Sequence, residues 1–135
     1  MIIGNGLMGI AFYKLYNINK DIVIFASGVS NSQEINDSAF LRERDLLLRT
    51  IDATSNHIVY FSTCSIDDPY LKNSRYIQHK LEMESLVRSL SKYTIFRLPQ
   101  VVGKTKNPFT LTNYIYKKII NNSAFRSEER RVGKE

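Results

Sequence analysis

The sequence has few of the residues that mark secreted, membrane or metal-binding proteins. Its one cysteine, Cys64, cannot form an internal disulfide, which agrees with a reducing compartment. No apolar run approaches the ~20 residues needed to cross a bilayer, and the N-terminus lacks the basic region and apolar core of a signal peptide. The two histidines, His57 and His79, stand alone, so no metal site is predicted. These absences predict a cytoplasmic protein with no membrane partner.

The remaining composition is ordinary for one globular domain, with 135 residues, 43% hydrophobic and 24% charged. The formal net charge of +6 is scattered, except for a concentration in residues 126–135, RSEERRVGKE. That stretch reads as the in-frame translation of a common sequencing-library adapter, and we interpret it as a non-native tail. Without it the chain holds 15 Lys and Arg against 10 Asp and Glu. Because the rest forms no basic stripe interleaved with aromatic residues, nucleic acid is not predicted as a partner.

Four apolar segments alternate with helical patterns along the chain. Runs rich in Ile, Val and Phe, such as residues 21–26, are typical of strands covered on both faces. The predicted strands are 1–4, 21–26, 58–62 and 93–98, and the predicted helices begin near residues 7, 36, 74 and 111. This order predicts an α/β fold, with a parallel sheet flanked by helices and joined by right-handed crossovers.

The second helix is predicted to be amphipathic, with Asn36 or Asp37 as its cap. Its apolar residues Phe40, Leu47, Leu48 and Ile51 share one face. Residues 42–45, which are Arg, Glu, Arg and Asp, are expected to point to solvent.

Three of the six glycines lie in GNGLMG, residues 4–9, which matches the G-x-G-x-x-G pattern between a predicted strand and a predicted helix. Glycines permit a tight turn, and a helix N-terminus presents amide hydrogens to a pyrophosphate. The pattern favours dinucleotide binding over a plain glycine-rich turn. The acid that usually follows ~20 residues later is missing, because the second strand ends in Ala26. Either the usual second and third strands have been deleted or this strand has lost its acid, and the choice between NAD and NADP stays open.

Tyr76 and Lys80 stand four residues apart on a predicted helix, so both side chains lie on one face. A tyrosine of pKa ~10 is about one part in a thousand ionised at pH 7, which costs roughly 4 kcal/mol when it acts as a base. A nearby ammonium lowers that pKa by stabilising the phenolate, so the pair is suited to moving a proton off an alcohol. The alternative is an exposed Tyr–Lys contact on a solvated helix.

Context selects Tyr76 from three copies of the Tyr-x-x-x-Lys spacing. Tyr16 to Lys20 straddles a predicted helix end, and Tyr114 to Lys118 lacks a preceding strand tipped by a hydroxyl. Only Tyr76 follows such a strand.

That strand ends near Thr63, at the edge where open α/β sheets place ligands, and its hydroxyl is suited to bond a reacting oxygen. Ser62 and Ser65 compete for this role, and capping or loop hydrogen bonding is the alternative for all three. Cys64 has no partner for nucleophilic catalysis and is expected to be small and semi-buried. Residues 67 and 68, both Asp, are expected to form a turn.

Together these segments resemble the extended short-chain dehydrogenase/reductase superfamily, specifically the NAD-dependent epimerase/dehydratase group that modifies nucleotide sugars. The resemblance runs through GNGLMG (4–9), IFASG (24–28), VYFST (59–63), YIQHK (76–80) and FRLPQVVG (96–103). It implies a compact Rossmann-like fold in which Thr63 binds a sugar oxygen, Tyr76 is the general acid/base, and Lys80 holds the nicotinamide ribose and lowers the Tyr76 pKa. The residues expected at an NAD or NADP cofactor are Gly4, Gly6, Leu7, Met8, Gly9, Ala26, Ser27, Gly28, Tyr76, Lys80 and Pro99.

The implied activity is hydride transfer at a nucleotide-sugar carbon, ending in epimerisation, dehydration or keto reduction, in bacterial surface-polysaccharide synthesis. Two alternatives stay open: a non-catalytic NAD(P)-binding module or inactive fragment, and an NADP-dependent reductase of a non-sugar carbonyl. The expected partner is the nucleotide-sugar substrate, and a homodimer is left open. Residues 1–103 are expected to form the cofactor-binding domain, 104–125 the start of a truncated substrate lobe, and 126–135 the adapter-like tail.

Overall fold

One compact unit contains all the residues predicted to form the site. The computed structural model describes residues 1–13, 20–103 and 111–124. The chain divides into two compact units, Met1–Pro99 and Gln100–Glu135. Predictions on Tyr16, on the end of the first helix and on the adapter-like tail lie outside the described residues.

Four strands of the first unit form one parallel sheet. They are β1 (Ile2–Ile3), β2 (Ile22–Phe25), β3 (His57–Thr63) and β4 (Tyr93–Leu98), in the order β1-β2-β3-β4. Each pair of neighbours is parallel. The predicted α/β class, a parallel sheet flanked by helices, is therefore confirmed. The first three predicted strands differ from the observed ones by one residue at each end, and the fourth has the predicted bounds.

Three helices accompany the sheet in the first unit: α1 (Leu7–Tyr13), α2 (Asp37–Ala53) and α3 (Arg75–Arg88), with a 3₁₀ turn at Cys64–Asp67. The second unit contains α4 (Leu111–Ile120). Side chains fix two of the starts, since Asn36 Oδ1 accepts from Ser38 N at 3.0 Å and Ser74 Oγ accepts from Ile77 N at 3.2 Å. Such caps satisfy amides that have no partner within the helix.

The core lies between one face of the sheet and the helices α2 and α3. Burial alternates along β3 because successive side chains point to opposite faces, so Ile58 and Tyr60 face inward. The strand register places β2 residues beside them on the same face. The buried cluster consists of Val23, Phe25, Leu47, Ile58, Tyr60, Met83 and Val87.

The prediction that residues 42–45 all point to solvent is wrong for Glu43, which is only 3% exposed. Glu43 follows Phe40 by three residues and precedes Leu47 by four. All three therefore lie on one helix face, and that face packs on the core. A carboxylate thus occupies a position that the helical period assigns to the interior.

Helix α1 lies on the opposite face of the sheet from α2 and α3. The ring of Phe12 stacks on that of Phe61, with centroids 5.4 Å apart, and Phe61 points away from the Tyr60 face. The strands follow one another in a single direction across the sheet. The connection through α1 therefore has the opposite hand to those through α2 and α3, and the prediction of uniformly right-handed crossovers is wrong.

No helix within the described part of the chain combines the length and the apolarity that a membrane crossing requires.

Candidate active site

The candidate residues follow the carboxyl ends of the four strands. Because the strands are parallel, these ends share one edge of the sheet. The glycine turn follows β1, and Leu7 and Met8 begin α1 just beyond it. The segment from Ala26 to Gly28 follows β2, Thr63 ends β3, and Pro99 follows β4. The structure therefore gathers the predicted residues at one edge, and their contact with a cofactor stays a prediction.

The glycine turn is packed against the end of β2. Gly4 has a φ of +115°, and a Cβ on it would lie 2.4 Å from the Ala26 carbonyl oxygen. A Cβ on Gly9 would lie 2.2 Å from the Gly4 carbonyl oxygen. A Cβ on Gly6, by contrast, would meet no atom within 4 Å. Gly4 and Gly9 are thus required by the turn itself, whereas Gly6 faces open space.

Thr63 meets Tyr76 at the end of β3. The Thr63 Oγ1 accepts from Ser65 N at 3.1 Å and caps the 3₁₀ turn, and the Thr63 hydroxyl lies near enough to Tyr76 to lower the Tyr76 pKa. Ser62 is buried on the inner face, where it contacts Glu84. Of the three competing hydroxyls, Thr63 is the one that acts on the Tyr76 pKa, although the capping alternative also holds for it.

Tyr76 and Lys80 share one face of α3, as their spacing predicts. The Lys80 Nζ lies 5.8 Å from the centroid of the Tyr76 ring. Lys80 is only 4% exposed and Tyr76 is half-buried. The alternative of an exposed Tyr–Lys contact is therefore excluded.

The copy at Tyr114 and Lys118 has nearly the same spacing, with Nζ 5.7 Å from the ring centroid. Tyr114, however, is 42% exposed. Burial, rather than distance, separates the two pairs.

Glu43 is the centre of a buried cluster that the sequence did not predict. Its Oε1 accepts from Tyr60 Oη at 2.8 Å and from Lys80 Nζ at 2.9 Å. Its Oε2 accepts from Val29 N at 2.8 Å and bonds His79 Nε2 at 2.9 Å. The helical period of α2 could have identified Glu43, because position 43 lies on the same apolar face as Phe40 and Leu47.

The loop after β2 closes over this cluster. A Cβ on Gly28 would lie 2.9 Å from Glu43 Oε1 and 3.1 Å from Lys80 Nζ. A glycine therefore lets the loop approach the ion pair.

The cluster shifts the acidity of its members. Burial raises the pKa of Glu43, but the His79 hydrogen bond, the Lys80 charge and the Val29 amide outweigh burial and lower that pKa to about 2. Glu43 is thus a carboxylate at neutral pH, so His79 Nε2 donates to it. Burial and the neighbouring Glu43 raise the pKa of Tyr60 well above its usual range.

The pKa of Tyr76 shifts in the direction opposite to the one expected. Burial raises it, the Glu43 charge raises it further, and the nearby Thr63 hydroxyl lowers it only in part. The expected lowering by Lys80 does not prevail, because the Lys80 ammonium is bonded to the Glu43 carboxylate. Tyr76 is consequently held in its neutral, protonated form.

A second network braces the end of β4. Glu84 is buried on α3 and accepts two hydrogen bonds from Arg97, both at 2.9 Å, and one from Arg88 at 3.2 Å. Cys64 is exposed, which corrects the semi-buried expectation, and its Sγ contacts the Arg97 carbonyl oxygen at 3.2 Å. No group of three His, Cys, Asp or Glu within the described ranges is placed to hold a metal ion.

A groove of about 530 Å³ lies elsewhere, at the amino ends of the strands, with Asp21, Asn56, His57, Lys92 and Thr94 among its lining residues. It includes none of Thr63, Tyr76 and Lys80. We locate the candidate site at the carboxyl edge instead, because the buried acid–base groups lie there.

Comparison with known proteins adds no relative: no protein-family model matches the chain, and no curated protein or solved structure matches it.

Proposed function

We propose that the chain is a nicotinamide-dependent oxidoreductase of the epimerase/dehydratase type, acting on a nucleotide sugar with Tyr76 as its proton-transfer group. One observation carries the proposal: Thr63, Tyr76 and Lys80 come together at the edge of the sheet that also carries the glycine turn. A hydroxyl, a half-buried phenol and a buried ammonium are the groups that proton exchange with an alcohol or carbonyl oxygen requires.

A Rossmann-like unit without its second and third strands fits the sheet. In the usual order 3-2-1-4-5-6, the first helix leads to a strand on one side of β1, and the later strands lie on the other side. In this chain α1 packs on one face of the sheet. The strand that follows it, β2, belongs to the group whose core residues pack against α2 and α3 on the other face. Deletion of two strands gives this arrangement and also removes the strand end that usually carries the ribose-binding acid.

The residues present fit part of a nicotinamide dinucleotide. The open space at Gly6 leaves room for a pyrophosphate beside the first amides of α1, from Leu7 to Gly9. Tyr76 would lie at the nicotinamide ribose end, and Lys80, which is buried and bonded to Glu43, would lie behind it. A bound nicotinamide accepts or supplies the hydride.

The chain itself would orient the substrate oxygen and exchange its proton. Thr63 would donate to that oxygen, and Tyr76 would give up or take the proton.

One observation favours the non-catalytic alternative. Lys80, which should assist Tyr76, is already bonded to Glu43. A module that binds NAD(P) without turnover needs no active phenolate.

Two measurements test the proposal: fluorescence titration of NADH and NADPH, and turnover on a panel of nucleotide sugars. Tyr76→Phe is expected to reduce turnover by about 100-fold or more, while the cofactor Kd changes by less than about twofold. Tyr13→Phe is the control, because it removes the same hydroxyl from an exposed tyrosine on α1, and it should change neither quantity.

Turnover retained in Tyr76→Phe contradicts the proposal, and so does a folded chain that binds neither cofactor. Cofactor binding without turnover on any nucleotide sugar favours the non-catalytic module.

A further inference from the structure

The Glu43 carboxylate joins α2 to α3 at the candidate proton-transfer residues. Lys80 and His79 are adjacent on α3, and both bond to Glu43. The other donors come from two further elements, namely Tyr60 on β3 and the Val29 amide after β2. Four donors from three parts of the fold therefore hold one carboxylate in a single place.

Lys80 in turn has its position set by this cluster. Its Nζ lies 2.9 Å from Glu43 Oε1 and 3.3 Å from Tyr60 Oη, but 5.8 Å from the centre of the Tyr76 ring. An ammonium bonded directly to a carboxylate acts on a third group as a neutral pair rather than as a cation. The groups that face Tyr76 are Glu43 from α2, Lys80 from its own helix, and Thr63 and Tyr60 from β3.

We propose that Glu43 is a positioning residue: it fixes Lys80 and cancels the Lys80 charge at Tyr76, so that Tyr76 enters the reaction as a proton donor. This inference rests on the proposed function and deepens it, because it assigns the protonation state in which Tyr76 meets the substrate. The raised pKa of Tyr76 agrees with the geometry.

The proton step balances within the site. The O–H bond of Tyr76 breaks, an O–H bond forms on the substrate oxygen, and a phenolate remains; the hydride that reduces the substrate carbon would come from a bound reduced nicotinamide. The phenolate recovers its proton from water.

The decisive measurement is the titration of Tyr76 by NMR of tyrosine labelled at Cζ, with Tyr76→Phe to assign the signal. Glu43→Gln is expected to move the Tyr76 titration to lower pH by about 1–3 units, because Lys80 then acts on the phenolate as an uncancelled cation. Glu82→Gln is the matched control, since Glu82 pairs with Arg44 on the surface and its loss should leave the titration in place.

Glu43→Gln leaves Lys80 buried without its partner, and the variant could fail to fold. In that case the double variant Glu43→Gln with Lys80→Met, which removes both charges, is compared with Lys80→Met alone. The double variant should titrate close to the wild type, whereas Lys80→Met alone should titrate at higher pH. Equal titrations in these two variants would overturn the inference.

The pH dependence of turnover distinguishes this role from a purely structural one, because a residue that only stabilises the fold would leave that pH dependence unchanged. In Glu43→Gln, the pH limb of turnover should shift with the Tyr76 titration. A folded variant with an unmoved Tyr76 titration overturns the inference while leaving the proposed function intact. A wild-type protein that fails to bind the cofactor or to turn over a substrate would, by contrast, contradict the proposed function itself.

Discussion

Lys80 Nζ lies 2.9 Å from Glu43 Oε1, although thirty-seven positions separate the two residues along the chain. Both side chains are almost fully buried. A buried charge is costly unless it is paired and hydrogen-bonded, so each of these residues depends on the other. The contact therefore joins two helices and also sets the electrical environment of Tyr76.

We predict that Glu43 makes the fold sensitive to acid. Its pKa falls from 4.5 to about 2 on folding, so its contribution to stability is fully present above pH ~5 and is lost as the pH falls toward ~2. The shift corresponds to roughly 3 kcal/mol in the free energy of unfolding. Urea unfolding of the wild type and of Glu43→Gln, measured from pH 7 to pH 3, should show two curves that converge in acid. Parallel curves would contradict the assignment.

The two kinds of glycine in the turn should respond differently to alanine. Gly9→Ala places a Cβ against the Gly4 carbonyl oxygen and should lower the free energy of unfolding by about 1–3 kcal/mol. Gly6→Ala meets open space and should leave stability nearly unchanged, while weakening NADH or NADPH binding by about tenfold or more. Thermal unfolding and fluorescence titration separate the two effects. Unchanged cofactor binding in Gly6→Ala would remove the glycine turn from the proposed cofactor site.

Arg97 should matter more to stability than the surface ion pairs do. Arg97→Ala takes two hydrogen bonds from the buried Glu84 and leaves Arg88 as its remaining cationic partner. We expect a loss of about 1–3 kcal/mol in the free energy of unfolding, measured by urea titration. Glu82→Ala, which removes the exposed pair with Arg44, should cost less than about 1 kcal/mol. Equal losses in the two variants would show that Glu84 tolerates burial without Arg97.

The strands and the Tyr76 pair could be predicted because each depends on local pattern. Apolar runs mark buried strands, and a spacing of four residues fixes which side chains share a helix face. Glu43 could not be placed in the same way. Its charge argued for solvent, and the donors that stabilise it come from Val29, Tyr60 and α3, which only the tertiary fold brings to it. The Tyr76 pKa was expected to fall because Lys80 is four residues away. It rises instead, because the tertiary fold buries Tyr76 and brings Glu43 close to it.

The change of helix face between α1 and α2 has a consequence for access at the carboxyl edge. Chain segments that leave adjacent strands toward opposite faces must diverge, and open α/β sheets bind their ligands where such a divergence occurs. Here the diverging segments are the glycine turn and the segment that begins at Ala26, and they touch where Gly4 meets the Ala26 carbonyl. This four-stranded sheet therefore has such a point between its first two strands, even though its strand order never reverses. Gly28, which lies against the Glu43–Lys80 pair, belongs to the second of these segments, so that pair lies beside the same point.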